Sequence, residues 1–415
     1  MCTLWVPGRR TMKDIPNNPT VVVLGGAGGM GRVAVAHAAA FEDVGQLIVA
    51  DLDLSAAEAV VAQCTASART RLRAAAVDVT DATALAALLG QADVVLNTTG
   101  PFYRLGVAVL RGAIEAGCHY IDICDDWEPT LEMLALHDDA AARGGLAVIG
   151  MGASPGLSNL LARLACDRLE HVDDLYTAWP VDAGVGGQVE AAADASGGVS
   201  AALLHWMQQI SGQIEVVEDG QLVPRQPLAP VTLDFPGMGS GTAYTVGHPE
   251  PITFRQTMGV RGQSANLMLL KPSTAAFLQG LRDDIDAGKF SIEAAAEQVF
   301  KPGVARLAKT LARAMRCPGA GRLPFFFAMA RGTRDGRPMS IGVRMTAIPK
   351  GMEGVTGIPL ALGLRQLLDR RPEQTGVHPP ETVLDPVPLF DALAPTCHPA
   401  KRGFDDLIVV TEQAG

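Results

Sequence analysis

Five glycines fall within seven residues in Gly25-Gly26-Ala27-Gly28-Gly29-Met30-Gly31, directly after the apolar run Val21 to Leu24. The spacing Gly26-x-Gly28-x-x-Gly31 after a predicted strand and at the start of a predicted helix is one that receives the pyrophosphate of a dinucleotide. Gly26 is expected to make the tight turn, Gly28 to let the phosphates reach the main chain, and Gly31 to let helix and strand pack closely. Free N–H groups at the helix start favour the negative charge. Ala27, Gly29, Met30 and Arg32 complete this loop. Asp51 falls twenty residues after Gly31, where a carboxylate can accept hydrogen bonds from ribose hydroxyls, with Leu52 beside it. Its charge opposes a 2′-phosphate, so the local sequence leans to NAD over NADP, although Arg32 could reach such a phosphate. Asp78, followed by Val79, reads equally as a contact to adenine or as a helix N-cap. Thr98, Thr99 and Gly100 end another strand and are expected to line the nicotinamide ribose.

Hydride transfer asks the protein to position two reactants and to manage one proton. Tyr103, Asp122, Asp125 and Asp126 stand at strand ends where such groups belong, and Tyr103, Asp125 and Asp126 are the catalytic candidates. Asp125 or Asp126 could hold an ammonium or iminium or act as acid and base; they read equally as caps of a helix starting near Glu128. Neighbours on an extended chain point oppositely, so only one is expected inside. Tyr103 could donate a phenolic proton or simply pack. Arg255, Arg261 and Arg344 could clamp a carboxylate. His205 and Trp206 read as helical core residues with Leu203 and Ile210, and His248 as a turn residue. No spacing suggests a metal site, a Gly-x-Ser-x-Gly elbow or a P-loop lysine.

The elements that must carry these groups alternate. Strands are expected at 20–24, 46–50, 73–77, 93–97, 120–123 and 146–149, with helices at 31–41, 55–68, 82–89, 106–115 and 128–143. Ser55 and Glu58 form a possible capping box for the second helix. The alternation predicts an α/β fold, a Rossmann-type doubly wound parallel sheet. Beyond a helix at 160–169 the texture changes, with hairpin turns at Asp219-Gly220 and Asp335-Gly336 and glycine-rich loops at 184–187 and 197–198, which predicts an inserted α+β second domain. Residues 346–371 read as a closing helix and the stretch to 400 as a Pro-rich loop. Residues 1–18 read as a flexible N-terminal extension.

The chain has 415 residues, is 48% hydrophobic and 19% charged, and carries a net charge of −10 from 44 acidic and 34 basic side chains. That balance argues against nucleic acid as a partner, and no apolar run is long enough to span a bilayer, so no membrane is expected. Seven dispersed cysteines without paired spacing suit a reducing cytoplasm.

Asn97-Thr-Thr-Gly-Pro-Phe, then Ala113-Ile-Glu-Ala-Gly-Cys-His-Tyr120-Ile-Asp122, then Ser154-Pro-Gly-Leu-Ser-Asn159 resemble stretches of the saccharopine dehydrogenase-like oxidoreductases. Gly247-His-Pro-Glu250, Met345-Thr-Ala and Gly376-Val-His-Pro-Pro-Glu381 are similar to the family's later stretches. The resemblance implies a Rossmann domain at 19–159, a substrate and dimerisation domain at 160–345, and a C-terminal segment at 346–415 that returns to the first domain. It implies NAD or NADP as cofactor, a small-molecule substrate, a homodimer, and hydride transfer at a C–N centre. Reduction of a C=C or C=O bond in an apolar substrate, with Phe325 to Phe327 and Met329 in view, and a non-catalytic dinucleotide-binding regulator are the alternatives. Where many members carry Asp-Pro-Gly, this chain has Ser154-Pro-Gly, which removes whatever that acid does.

Overall fold

The computed structural model describes residues 15–65, 67–181, 201–370 and 374–415, and the glycine-rich loops at 184–187 and 197–198 lie outside them, as do residues 1–14 and Arg371. The chain divides into two units, the first made of residues up to Cys124, Glu128–Gly156 and Glu353–Asp385, the second of Asp125–Trp127, Leu157–Met352 and Pro386–Gly415.

The first unit alternates strand and helix: β1 (Thr20–Leu24), α1 (Gly29–Ala38), β2 (Gln46–Asp51), α2 (Leu54–Thr65), β3 (Arg71–Ala76), α3 (Ala82–Leu89), β4 (Val94–Asn97), α4 (Phe102–Ala116), β5 (His119–Asp122), α5 (Trp127–Leu134), α6 (His137–Ala142) and β6 (Leu146–Val148). Buried on both faces from Val21 to Leu24 and from Val94 to Leu96, β1 and β4 read as apolar runs with a polar residue only at one end, Thr20 and Asn97, as suits central parallel strands. Two local expectations are corrected. Asp53, not Ser55, caps α2, its carboxylate accepting the Ala56 N–H at 3.1 Å. The helix expected over 128–143 is two helices, broken at Ala135-Leu136. Ile15, assigned to the extension by the sequence, is buried at 5% exposure.

The second unit begins with α7 (Leu157–Cys166), β7 (His171–Pro180), α8 (Ala201–Gln209), β8 (Ile214–Glu218), β9 (Gln221–Arg225), β10 (Pro230–Phe235), β11 (Gly239–Thr245), α9 (Glu250–Thr257) and β12 (Ser264–Leu269). It continues through α10 (Pro272–Asp286), α11 (Ile292–Phe300), α12 (Val304–Ala314), β13 (Phe327–Arg334), β14 (Arg337–Met345) and β15 (Ile348–Pro349). Hairpins close at Asp219-Gly220 and Asp335-Gly336, with both central residues at positive φ. Phe326, Phe327 and Met329 are 2%, 0% and 0% exposed, so that aromatic run serves the core of this unit.

The C-terminal part departs from expectation. The closing helix is α13 (Gly351–Arg370), and the supposed loop after it holds β16 (Gly376–His378), α14 (Pro380–Val383), α15 (Pro386–Leu393), β17 (Cys397–His398), α16 (Phe404–Leu407) and β18 (Ile408–Ala414). Only residues 353–385 join the first unit, whereas 386–415 belong to the second, because β18 pairs antiparallel with β14 along seven residue pairs. Alternating registers this short leave little trace in sequence, and pairing with a distant strand is what fixes them. The first sheet runs β16-β6-β5-β4-β1-β2-β3 and is parallel throughout. Its order reverses between β1 and β4, the point where ligands sit in such sheets. The second is a mixed sheet ordered β10-β11-β12-β7-β13-β14-β18, with the β8–β9 hairpin attached through β12.

Candidate functional site

The switch point is built by the loop between β1 and α1. Gly25 carries the positive φ of +69° that turns the chain; the sequence assigned this turn to Gly26, one residue late. Gly26 is constrained by packing, since a Cβ there would lie 2.8 Å from Val49 Cγ1 on β2. At Gly31 a Cβ would lie 2.1 Å from the Gly25 carbonyl oxygen and 2.8 Å from Thr98 Oγ1, so α1 sits directly on the loop. Gly28 differs: it is exposed, and a Cβ there would meet only the Gly25 oxygen, at 3.2 Å. It occupies the N-cap position in extended conformation and has no side chain to cap the helix. The N–H groups of Gly29, Met30 and Gly31 therefore open α1 without a side-chain partner, a ready site for an anion.

Asp51, at the end of β2, turns toward this loop. Its Oδ2 accepts the Ala27 N–H at 3.0 Å and its Oδ1 the Asp53 N–H at 3.3 Å, while Leu52 beside it is 74% exposed. Asp78 accepts from the Thr80 hydroxyl at 2.6 Å and the Thr80 N–H at 2.9 Å, bonds that hold its carboxyl below the usual range. The N-cap of α3 is Asp81, which accepts from Thr83 and Ala84, so the capping alternative for Asp78 is corrected; Val79 is half-buried. Arg32 is exposed and lies 3.8 Å from Glu353, a residue of α13 that also sits 3.0 Å from where a Gly29 Cβ would be. Glu353 was not legible as a loop neighbour, being more than 300 residues away.

Across the switch point, the Thr98 hydroxyl donates to the Leu24 and Gly25 carbonyls at 2.8 and 3.0 Å, tying β4 to the loop. The Thr99 hydroxyl is buried and has no partner among the described residues, and Gly100 opens onto free space. Beneath them a buried chain runs from the Asn97 amide to the Tyr120 hydroxyl at 2.9 Å, and from that hydroxyl to Asp122 Oδ2 at 2.8 Å. Asp122 Oδ1 accepts the Gly150 and Cys124 N–H groups at 2.7 and 3.0 Å. Burial above all, then the Asp122 charge, pushes the Tyr120 phenol far up, so it stays protonated. Asp122 thus anchors strand ends. An uncapped helix start, a glycine cradle and a buried unpaired hydroxyl on one sheet edge fit a nicotinamide dinucleotide.

The catalytic candidates separate. Tyr103 lies in the first unit, 44% exposed on α4, along a groove bordered by α3 and α5. Asp125 and Asp126 group with the second unit, and both face His205 of α8: Nε2 lies 3.3 Å from Asp125 Oδ1 and 3.4 Å from Asp126 Oδ1. The expectation that only one would point inward is overturned because the strand ends at Asp122 and residues 123–126 are irregular, so pleat alternation no longer applies. Gln209, one turn after His205 and so on the same helix face, donates to the Asp125 carbonyl at 3.2 Å and to Oδ2 at 3.3 Å. Burial works against ionising Asp125, yet the His205 charge and hydrogen bond outweigh it and bring the carboxyl down to about 2. Burial likewise disfavours the imidazolium, but Asp125 and then Asp126 raise His205 to about 9. The three groups offer ligand atoms within 4.8 Å of one another, and a protonated His205 supplies the countercharge the carboxylates need. The sequence placed His205 in the core. Leu203, Met207 and Ile210 are buried there, but 205 and 209 share a different face, a spacing that could have revealed the pair.

His248 also acts on Asp125 electrostatically. Buried, it stacks on Trp179 with ring centroids 5.5 Å apart, and its Nδ1 lies 3.6 Å from Glu250 Oε2. Glu250 is wholly buried; its Oε1 accepts from the Ser158 hydroxyl at 2.8 Å and the Asn266 amide at 2.7 Å. Among the arginines, Arg255 bonds the Gly220 carbonyl at 2.9 Å and Arg261 lies 3.1 Å from His171 Nδ1, so both hold local structure. Arg344 Nε is buried with no partner among the described residues.

Comparison with known proteins agrees with this architecture. Residues 21–148 match the model of the saccharopine dehydrogenase NADP binding domain. The chain is 24% identical over 240 residues to a carboxyaminopropylagmatine dehydrogenase of Synechocystis sp., an alignment covering 55% of this chain and 57% of that relative. In fold it is similar to the apo histidine-tagged saccharopine dehydrogenase (L-Glu forming) from Saccharomyces cerevisiae, with a TM-score of 0.60 at 14% identity over 96% of this chain and all of that one. Residues 21–148 thus carry the saccharopine dehydrogenase NADP binding domain, and along its length the chain is similar in fold to that solved saccharopine dehydrogenase.

Proposed function

We propose that the protein is a nicotinamide-dinucleotide-dependent oxidoreductase that transfers hydride at a C–N centre, an imine or secondary amine, of a small substrate. The observation that carries the first half is the uncapped start of α1 at Gly28, with the Asp51 carboxylate beside it. The bound cofactor supplies or accepts the hydride. Gly26 to Arg32 hold its phosphates, Asp51 and Leu52 its adenosine ribose, Asp78 and Val79 flank the adenine, and Thr98, Thr99 and Gly100 line the nicotinamide ribose. Asp51, and the engagement of Arg32 by Glu353, favour NAD over NADP.

The C–N half rests on Asp125, Asp126 and His205. With one imidazolium between two carboxylates the cluster carries a net negative charge, which suits an iminium or ammonium. The proton on His205 Nε2 is shared toward both carboxylates and can pass to, or be taken from, a substrate nitrogen. Relatives named for saccharopine and carboxyaminopropylagmatine support a secondary-amine substrate. The burial of Phe326, Phe327 and Met329 removes the residues that favoured an apolar C=C or C=O substrate. A reducing cytoplasm agrees with buried free thiols at Cys64, Cys118, Cys124, Cys166 and Cys397; the homodimer rests on family resemblance.

The test is NADH and NADPH oxidation, followed by absorbance, with amines paired to keto acids or aldehydes. Turnover only with C=C or C=O substrates overturns the C–N assignment. Asp51→Ala is expected to weaken NAD about tenfold, the worth of one charge-assisted hydrogen bond, and NADP far less. Equal losses in a fluorescence titration would remove Asp51 from the ribose.

A further inference from the structure

Along one face of α12 the cations outnumber the carboxylates that meet them. Arg306, Lys309, Arg313 and, just past the helix end, Arg316 follow one another at intervals of three, four and three residues, the spacing of a single helical face. That face is turned toward α10, where Arg306 meets Asp284 at 2.5 Å and Arg313 meets Asp283 at 2.6 Å. Each of these carboxylates already serves a second cation: Asp283 meets Arg282 at 2.7 Å, and Asp284 meets Lys289 at 3.1 Å. Lys309 and Arg316 make no ion pair among the described residues. Residues 300–322 contain no acidic residue that could serve them, in a chain whose net charge is −10.

The two cations left over line a cavity of about 450 Å³. Ala312 and Arg313 of α12 line it as well, with Tyr244 of β11, Gln279 of α10, Pro230 and Pro318, and no carboxylate is among its lining residues. Its neutral walls are already tied down. The Tyr244 hydroxyl donates to the Pro318 carbonyl at 2.6 Å, and the Gln279 amide donates to the Leu228 carbonyl at 3.1 Å while its oxygen accepts the Cys317 thiol at 3.6 Å. A preformed concavity with an aromatic wall and a few polar groups on one side is the usual build of a small-molecule site. Lys309 and Arg316 together match the nearly double negative charge of a phosphate monoester better than the single charge of a carboxylate. A bare phosphate fills only a small part of the volume, so a ligand that occupies it brings an apolar body. We propose that this cavity is a second ligand site, for a small organic phosphate whose charged group lies at Lys309 and Arg316 and whose apolar body lies against Tyr244, Pro230 and Pro318. Every lining residue belongs to the second unit, and the charge selected is opposite to the one that Asp125, Asp126 and His205 favour, so the site is separate from the proposed amine chemistry.

The experiment is calorimetric titration of the full chain with phenyl phosphate, inorganic phosphate and benzyl alcohol. Phenyl phosphate is expected to bind about tenfold more tightly than inorganic phosphate, the worth of partly burying one ring, and benzyl alcohol not measurably. Lys309→Gln with Arg316→Gln should weaken phenyl phosphate by about tenfold or more, the worth of at least one charge-assisted hydrogen bond. Ala312→Trp keeps every charge and fills the cavity, and should weaken it as much. All three positions are exposed, so unchanged circular dichroism and NADH affinity are expected for both variants. Four results would overturn the inference: no binding of phenyl phosphate; inorganic phosphate binding as tightly as phenyl phosphate, which would leave an adventitious ion only; binding that neither variant disturbs; or binding that saturating NADH abolishes, which would put the phosphate on the glycine loop.

Discussion

Gly28→Val is expected to abolish measurable nicotinamide dinucleotide binding while leaving the protein folded. The position is exposed, its backbone is in the extended region open to any residue, and a Cβ would meet only the Gly25 oxygen at 3.2 Å. The loop yields slightly, but the branched side chain then stands where phosphates approach the first N–H groups of α1. Loss of two charge-assisted hydrogen bonds costs about 3–5 kcal/mol, at least two orders of magnitude in affinity. Gly31→Val is the contrasting variant. Its Cβ would lie 2.1 Å from the Gly25 oxygen, so helix and loop must separate, and destabilisation of about 1–3 kcal/mol or more is expected from overpacking. Calorimetric titration with NADH and urea unfolding distinguish the two. If Gly28→Val binds within about threefold of the parent protein, the loop is a tight turn and nothing more.

His205→Asn is expected to lower kcat/KM for the amine or imine substrate by about a hundredfold to ten-thousandfold, the range for removing a general acid or base. The parent protein, assayed in imine reduction, should lose activity as pH rises through about 9, where His205 gives up its proton, and the variant should lack that limb. Tyr103→Phe should stay within about threefold of the parent. The opposite pattern, with Tyr103→Phe inactive and His205→Asn normal, assigns the proton to the phenol. Stability carries the same signature. The His205 value is raised above 6.5 to about 9, so its contribution is complete below about pH 6.5 and is lost as pH climbs through 9. The Asp125 value is lowered from 3.8 to about 2, so its contribution is present above about pH 4 and fades as pH falls toward 2. The stability difference between parent and His205→Asn should therefore be largest between about pH 4 and 6.5 and shrink in alkali, as urea midpoints would show. A difference independent of pH would mean that His205 only fills space.

Some of this site is local chemistry and was therefore legible in the chain. Consecutive residues set the glycine loop, the six alternating strands to residue 148 and the acid at the end of β2, because a strand, a tight turn and a helix start each need particular residue types within a few positions. The sequence by itself determined the glycine loop on which the proposed dinucleotide rests. Tertiary structure decided which distant residues meet within each unit. His205 meets Asp125 across some eighty residues, Glu353 reaches the glycine loop across more than three hundred, and β16 and β18 join different sheets. Each such contact is made by burial and long-range pairing, to which spacing along the chain is blind. The displaced turn at Gly25 and the caps at Asp53 and Asp81 were missed for a smaller reason: several neighbouring residues could each have served, and the backbone angles that chose among them follow from how the strands and helices finally pack.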